Sequence, residues 1–425
     1  MHDIVLSRPS PIPTSPPLTD PKVSQPTTFI NNMKLPGHRW FRYSAGYSGD
    51  WCKALIADRG ARQVFDPFAG SGTSLLAAQA AGAESIGVEV HPLVARIGRA
   101  KLGWNQSPTA LRGLGEDILR EAPALENATR PTSDLIQRIY PEQAYRRLAA
   151  LRQAVTESGS ELALLALLGI LRECSPAGTA QWQYVLPDRV KARVKDPYVA
   201  FGEKIDQIAG DIALMRITMP APPSATMIEA DIRQGLGVPD GWADLVVTSP
   251  PYANNFDYAD ATRIEMAFMG HVDSWADLKY IRDLLIRSCS QQMSGYAAQD
   301  VLRDDPYLDA IRPDLTRVYD DLAAVRLTRA GRKAYHTMIV AYFADLARAW
   351  RTVRAATRAG GECCWVVGDS APYGVHVPVE EWLGRLALQA GFTSFRFEPV
   401  RQRNVKWENR KHRVPLQEGY LWVKG

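Results

Sequence analysis

The stretch DPFAGSGT, residues 66–73, decides the fold that this sequence predicts. A short apolar segment leads into it, and residues 74–81 follow with the small and apolar side chains typical of a buried helix. A second strand is predicted at residues 85–90, followed by a helix that ends at Leu102. The order strand, glycine-rich turn, helix, strand predicts a parallel sheet, and doubly wound sheets of this kind bind ligands at the turn.

The glycine-rich turn also distinguishes between classes of ligand. A dinucleotide site requires Gly or Ala where this chain has Leu75, and a P-loop requires Lys before Thr73, where it has Gly72. At the ends of the second and third predicted strands lie Glu89, which can accept hydrogen bonds from two ribose hydroxyls, and Asp231, which can accept one from an adenine amino group. We therefore expect a nucleoside ligand without phosphates. The alternative is that both carboxylates are ordinary helix N-caps beside a tight turn.

A second motif, TSPPY at residues 248–252, directly follows an apolar strand predicted for residues 243–247. Two consecutive prolines fix the backbone and lack donors, so the carbonyls at the strand end are held rigidly toward the pocket. The ring of Tyr252 follows and can stack on a base.

The two stretches resemble a known family, the S-adenosylmethionine-dependent amino-methyltransferases of DNA. Residues 66–73 look like its motif I and Ser-Pro-Pro-Tyr looks like its motif IV, while residues 38–47 are similar to the segment that contacts the methionine end of the cofactor. The resemblance implies a Rossmann-like α/β fold and S-adenosylmethionine as the cofactor. The expected cofactor-binding residues are Asp66, Pro67, Phe68, Gly70, Gly72, Thr73, Glu89 and Asp231. The expected catalytic residues are Ser249, Pro250, Pro251 and Tyr252.

The reaction that the resemblance implies explains why these residue types are needed. An exocyclic base amine must become tetrahedral before it attacks a methyl group in line, and hydrogen-bond acceptors favour that change. We expect Ser249 and the carbonyl of Pro250 to accept hydrogen bonds from the amino group, while Tyr252 stacks on a base that is flipped or single-stranded.

The first residue of motif IV bears on the choice of base. Members of the family that act on the N4 of cytosine commonly have Ser there, and N6-adenine enzymes more often have Asp or Asn, so Ser249 favours cytosine N4. Adenine N6 and an amine in RNA or protein are alternatives. A cytosine-C5 methyltransferase is disfavoured because it needs a Cys nucleophile next to Pro, and the chain has no Pro-Cys pair. A further alternative is a non-catalytic DNA-binding subunit of a defence complex that retains the fold.

The organisation around the motifs predicts a domain with one long interruption. Seven prolines among Ser and Thr predict a disordered tail at residues 1–28. The methyltransferase domain is expected at residues 29–105 and 221–425, interrupted by a helical insertion at 106–220 without a convincing strand. The insertion and a charged helical block at residues 275–330 are both candidates for target recognition. An antiparallel final hairpin is predicted from residues 395–400 and 420–423.

Two basic stretches are candidate contacts for the phosphates of DNA. The loop of the final hairpin carries six cations in thirteen residues: Arg401, Arg403, Lys406, Arg410, Lys411 and Arg413. Residues 189–195, in the insertion, carry four more. Either stretch can equally be a solvated surface. The net charge of the 425-residue chain is only +4, so the prediction of a DNA partner depends on where these cations lie.

The amino-acid composition limits the classes of protein to which this chain can belong. With 46% hydrophobic residues the chain can bury a large core, and its longest nearly apolar run, residues 162–171, is too short to span a membrane. The five cysteines are scattered, and neither they nor the histidines show the spacing of metal ligands. We therefore expect a cytoplasmic enzyme that acts on DNA without a metal, with a restriction or defence protein as a candidate partner.

Overall fold

The computed structural model describes residues 30–43, 46–126, 133–180, 184–235, 237–254, 256–330, 333–403 and 414–425. The predicted tail at residues 1–28 lies outside these ranges. The strands are β1 (Gln63–Asp66), β2 (Glu84–Glu89), β3 (Ala177–Thr179), β4 (Val185–Val190), β5 (Ala225–Glu229), β6 (Ala243–Thr248), β7 (Thr357–Gly368), β8 (Ser394–Arg403) and β9 (Leu416–Lys424).

The described helices surround the strands and form most of the remaining structure. The α-helices are α1 (Gly49–Asp58), α2 (Thr73–Ala81), α3 (Pro92–Leu102), α4 (Pro108–Glu121), α5 (Asp134–Ile139), α6 (Glu142–Ser158), α7 (Glu161–Ile170), α8 (Pro197–Thr218), α9 (Tyr258–Ala261), α10 (Arg263–Phe268), α11 (Leu278–Leu284), α12 (Ala298–Asp304), α13 (Arg312–Leu327), α14 (Tyr335–Ala356) and α15 (Val379–Gln389). Short 3-10 helices lie at Ile30–Lys34, His38–Trp40, Ala122–Leu125, Ile232–Gln234, Ser290–Gln292, Pro306–Leu308 and Pro372–Gly374. None of these helices is long and apolar enough to cross a membrane.

Seven of the strands form one sheet in the order β5-β2-β1-β6-β7-β9-β8. The first five run parallel, and β9 is antiparallel to both β7 and β8. The predicted fold class, a doubly wound α/β sheet with an antiparallel final hairpin, is confirmed. The chain moves outward from β1 through β2 to β5 and then returns to β6 on the other side of β1. The switch between β1 and β6 is where such sheets bind ligands.

The sheet is buried on both faces because side chains alternate along its strands. In β6, Leu245 and Val247 pack in a cluster with α1, whereas Val246 packs in a cluster with α14 and α15. On the second face, Trp350 of α14 stacks on Trp365 of β7 with ring centroids 3.8 Å apart. These two layers hold the strand ends, and with them the two motifs, in fixed positions.

The insertion between β2 and β5 packs its helices around α7, most of whose side chains are buried. It also contains an antiparallel ribbon formed by β3 and β4. The prediction that residues 106–220 lack a strand is therefore wrong. The sequence signal is weak because β3 has three residues and β4 contains Pro187 and Asp188, two residue types that are depleted in strands.

All five cysteines of the chain are buried, and none forms a disulfide. Burial raises the pKa of Cys289 to about 11 and that of Cys363 to about 12. Both thiols therefore stay protonated at neutral pH and are poor nucleophiles.

Candidate active site

The carboxyl ends of β1, β2, β5 and β6 border a cavity of about 500 Å³. Small-molecule sites commonly measure about 300 to 1,000 Å³. Both predicted motifs contribute to the lining, with Asp66, Pro67, Phe68, Gly70 and Thr73 from the first and Ser249, Pro250, Pro251 and Tyr252 from the second. Glu89 and Asp231 also line it. Of the predicted cofactor and catalytic residues only Gly72, directly before α2, is not in the lining.

The glycine-rich loop needs its glycines for backbone conformation and for space. Gly70 has a φ of +52° and Gly72 a φ of +87°, in the left-handed region that other residues rarely adopt. A Cβ atom at Gly70 would lie 3.2 Å from the ring of Tyr43. The loop can therefore pass close to a ligand only with these residues.

Glu89 is held in place by the loop and by its own strand end. Its carboxylate accepts a hydrogen bond from the backbone N–H of Gly70 at 2.9 Å and another from that of His91 at 2.7 Å. Burial raises the pKa of Glu89 to about 7, although these two donors oppose the rise. Each carboxylate oxygen keeps a lone pair for a further donor. A ligand that donates two hydroxyl hydrogen bonds would favour the ionised form.

Asp66 joins the two motifs. One carboxylate oxygen accepts hydrogen bonds from the backbone N–H of Phe68 at 3.0 Å and from the hydroxyl of Thr248 at 2.5 Å. The other accepts from the hydroxyl of Ser74 and lies 3.3 Å from that of Tyr47. Burial raises the pKa of Asp66, and these donors oppose the rise. Since Thr248 begins the second motif, this carboxylate fixes the spacing between the two loops.

Asp231 has partners within the protein. It caps the 3-10 helix at Ile232–Gln234, and its carboxylate accepts hydrogen bonds from the guanidinium of Arg233 at 2.7 to 3.0 Å. Arg233 also donates to Asp345 at 3.0 Å. The N-cap interpretation is therefore confirmed for Asp231. Its contact with an adenine amino group stays a prediction.

The second motif presents acceptors and an aromatic ring to the cavity. The hydroxyl of Ser249 donates to the carbonyl of Val366 in β7 at 3.3 Å and also interacts with the hydroxyl of Tyr252, and its oxygen can accept a further hydrogen bond. The guanidinium of Arg403 lies over the ring of Tyr252, 5.2 Å from its centroid. Burial raises the pKa of Tyr252 well above its usual value, so its hydroxyl stays protonated.

The chain after the second motif is anchored by residues that are distant in sequence. The carboxylate of Asp257 accepts from Arg282 at 2.8 Å in a buried ion pair. The backbone N–H of Asp257 donates to the hydroxyl of Tyr184 at 2.8 Å. The ring of Tyr184 lies 5.5 Å from that of Phe256, which lines the cavity. The insertion thus supports the wall of the site, and no motif in the sequence predicts this contact.

The two described cations of the C-terminal basic stretch face the cavity. Arg401 and Arg403 approach the carboxylate of Glu418 at 2.8 and 3.4 Å, and Glu418 is only 2% exposed. In this structure they neutralise a buried carboxylate beside the second motif, and phosphate contact stays a prediction for them. The other predicted phosphate contacts, Lys406, Arg410, Lys411 and Arg413, lie outside the described residues.

Several residues of the site are missed by the motifs. Tyr258 and Leu285 line the cavity although no motif contains them. Tyr43 and Tyr47 also line it, and both fall within the segment expected at the methionine end. Beneath the glycine-rich loop, the buried ammonium of Lys101 donates to the hydroxyl of Ser71 at 3.2 Å, and burial lowers the pKa of Lys101 to about 7. No group of side chains in the described part of the chain is arranged to hold a metal ion.

Comparison with known proteins finds relatives along nearly the whole chain. The protein is 23% identical to the Type II methyltransferase M.BsoBI of Geobacillus stearothermophilus, over 91% of this chain and 85% of that protein. It is 22% identical to the Type II methyltransferase M.AvaI of a Nostoc species, over 86% of this chain and 81% of that protein, and to M.AvaI of Anabaena variabilis to the same extent. No family model matches the chain. These relatives confirm the family resemblance that the two motifs predict.

Proposed function

We propose that this relative of the DNA amino-methyltransferases transfers a methyl group from S-adenosylmethionine to the exocyclic N4 of cytosine in DNA. One observation carries the proposal: the two motifs, whose residues Asp66 and Thr248 are 182 positions apart, meet in one cavity through a direct hydrogen bond. The relatives, named as Type II methyltransferases and aligned over more than four fifths of each chain, support methyl transfer to DNA.

The chemistry of the cavity suits S-adenosylmethionine. The carboxylate of Glu89 would accept hydrogen bonds from the ribose hydroxyls, and the positive-φ glycines let the loop backbone approach the ligand. Tyr43 and Tyr47 would lie toward the methionine end. Bound S-adenosylmethionine supplies an electrophilic methyl group. The protein's part is to hold the carboxylate of Glu89 in position through the backbone N–H groups of Gly70 and His91, and to keep the second motif at a fixed distance through Asp66.

On the acceptor side, the protein would position and polarise the amino group. The hydroxyl oxygen of Ser249 and the carbonyl of Pro250 would accept hydrogen bonds from its two N–H groups, which localises the lone pair on the nitrogen. Val366 helps because its backbone carbonyl accepts the hydrogen bond of the Ser249 hydroxyl, so that the Ser249 oxygen can itself act as an acceptor. Tyr252 offers a ring on which the flipped base can stack. Serine at this position also supports cytosine, because it is common in the N4-cytosine enzymes that this motif resembles.

The decisive experiment is mass spectrometry of nucleosides from the DNA of a methylation-free host that expresses the chain. It includes the Ser249→Ala variant and, as a matched control, Ser107→Ala, which removes a helix cap outside the cavity. We expect N4-methylcytosine with the intact chain and the control. In the purified Ser249→Ala protein, turnover should fall by about tenfold to a hundredfold, with unchanged affinity for S-adenosylmethionine.

The other outcomes separate the alternatives. N6-methyladenine in place of N4-methylcytosine would keep the fold and the roles of the residues but reverse the choice of base. If neither base is modified while the purified protein binds S-adenosylmethionine, the proposal of DNA as the acceptor fails. DNA binding without affinity for S-adenosylmethionine would instead indicate a non-catalytic subunit.

A further inference from the structure

We propose that the β3–β4 ribbon of the insertion and the segment directly after it contact the phosphate backbone of the duplex beside the target base, through Arg189 and Arg193. This inference rests on the proposed function, since it takes DNA as the substrate. It assigns a role to the basic stretch at residues 189–195, which the cavity itself does not use.

The ribbon is tied to the wall of the cavity. Tyr184, directly before β4, accepts the hydrogen bond from the backbone of Asp257 and packs near Phe256. Close to the start of the ribbon, Arg172 pairs with the buried carboxylate of Glu265 at 2.9 Å. A duplex that delivers a base to the cavity would therefore pass close to the ribbon.

The cations of the stretch divide into two pairs. Lys191 donates to the carbonyl of Arg172 at 2.6 Å, and Lys195 forms ion pairs at 2.9 Å with Glu173 and with Glu203. Arg189 and Arg193 are exposed and form no ion pair with any residue that the structure describes. An exposed guanidinium without a carboxylate partner is suited to bidentate contact with a phosphate.

The ribbon keeps Arg189 close to the wall of the cavity. Residues 187–189 of β4 bulge out between the pairs Leu186–Gly178 and Val190–Ala177. A strand rises about 3.3 Å per residue, so five residues place Arg189 at most about 17 Å from Tyr184. Neighbouring phosphates on one strand of B-DNA are spaced about 3.4 Å along the axis, so the contact should fall within about five base pairs of the point that Tyr184 supports. A two-stranded ribbon is also narrow enough to enter the major groove.

The test is the salt dependence of DNA binding by the full chain, measured with a 30-base-pair duplex of mixed sequence. The double variant Arg189→Gln/Arg193→Gln removes both candidate contacts. The matched control Arg358→Gln/Arg396→Gln removes the same charge from β7 and β8, where each arginine has an acidic partner and lies outside both candidate recognition regions. Two lost phosphate contacts should reduce the slope of log K against log salt by roughly 1.8 in the ribbon variant, with no change in the control.

Three results are distinguishable. A reduced slope in the ribbon variant alone supports the contact. Equal slopes in the two variants, with wild-type DNA binding and methylation intact, overturn this inference and leave the proposed function standing. A wild-type chain that neither binds nor methylates DNA overturns the proposed function itself. All four arginines are exposed, so their substitution should leave the fold intact, and an unchanged affinity for S-adenosylmethionine checks this.

Discussion

The two sides of the cavity are built in different ways. On the cofactor side most hydrogen bonds join residues that are near in sequence: Asp66 accepts from Phe68 and Ser74, and Glu89 accepts from Gly70, 19 residues away. The bond from Thr248 to Asp66 links this side to the acceptor side. On the acceptor side the partners come from distant elements, with Tyr184 of the insertion, Arg282 of the helical block and Arg403 of the final hairpin. The cofactor side is thus close to a self-contained unit, whereas the acceptor side is assembled by the whole fold.

Variants should therefore affect the two sides separately. A change on the cofactor side should weaken S-adenosylmethionine binding, and a change in a distant anchor should slow methyl transfer with cofactor affinity intact. Three predictions test this difference.

The largest effect is expected for Gly72→Leu. A residue with a Cβ is strained at a φ of +87°, and the leucine would press on the methyl group of Met227 and the backbone of Gly98, which lie 3.7 and 3.8 Å from the Cβ position. Backbone strain of ~1–3 kcal/mol and displacement of the loop should weaken S-adenosylmethionine binding by about a hundredfold. Isothermal titration calorimetry measures this loss.

Gly82→Leu is the matched control at the other end of α2. Gly82 has a φ of +80°, and no atom lies within 4 Å of its Cβ position. This variant should lose about 1 kcal/mol of stability and keep its cofactor affinity. Equal losses of affinity in both variants would mean that strain in α2, and not the loop, is responsible.

The second prediction concerns the pH dependence of cofactor binding. The ribose hydroxyls should bind the ionised carboxylate of Glu89, whose pKa is raised to about 7, so protonation at lower pH removes the acceptor. The dissociation constant should rise about tenfold between pH 8 and pH 6. The Glu89→Gln variant should bind S-adenosylmethionine more weakly at pH 8, and its affinity should lack the part of the pH dependence that comes from Glu89. Because Lys101 also has a pKa of about 7, the difference between the two proteins isolates Glu89. Parallel pH profiles would remove Glu89 from the contact.

The smallest effect is expected for Tyr184→Phe, which removes the acceptor for the backbone N–H of Asp257. Loss of this hydrogen bond, which contributes about 1 kcal/mol to positioning the acceptor side, should lower the methylation rate about fivefold, with unchanged affinity for S-adenosylmethionine. Tyr198→Phe is the matched control, because it removes a hydroxyl from the same insertion that donates to Glu126 at 2.8 Å. If the two variants have the same rate, the insertion does not position the acceptor side.

The difference between contacts that are local in sequence and contacts between distant elements also explains which features the sequence predicts and which it misses. The sheet, the glycine-rich loop and TSPPY follow from local patterns, and the structure brings their residues together. Sequence analysis does not reveal that Arg401 and Arg403 share the buried carboxylate of Glu418, because ion pairs between strands leave no periodic pattern. Sequence analysis also misses β3 and β4, because β3 has only three residues and β4 is interrupted by Pro187.

The burial of every native cysteine makes the chain a convenient host for a single spectroscopic probe. Val190, at the end of β4, is 83% exposed and sits between Arg189 and Lys191. In Val190→Cys the new residue would be the one solvent-facing thiol of the protein, so a maleimide fluorophore would label the ribbon alone. The emission of that label would report the arrival of a duplex in real time, without any substitution in the cavity.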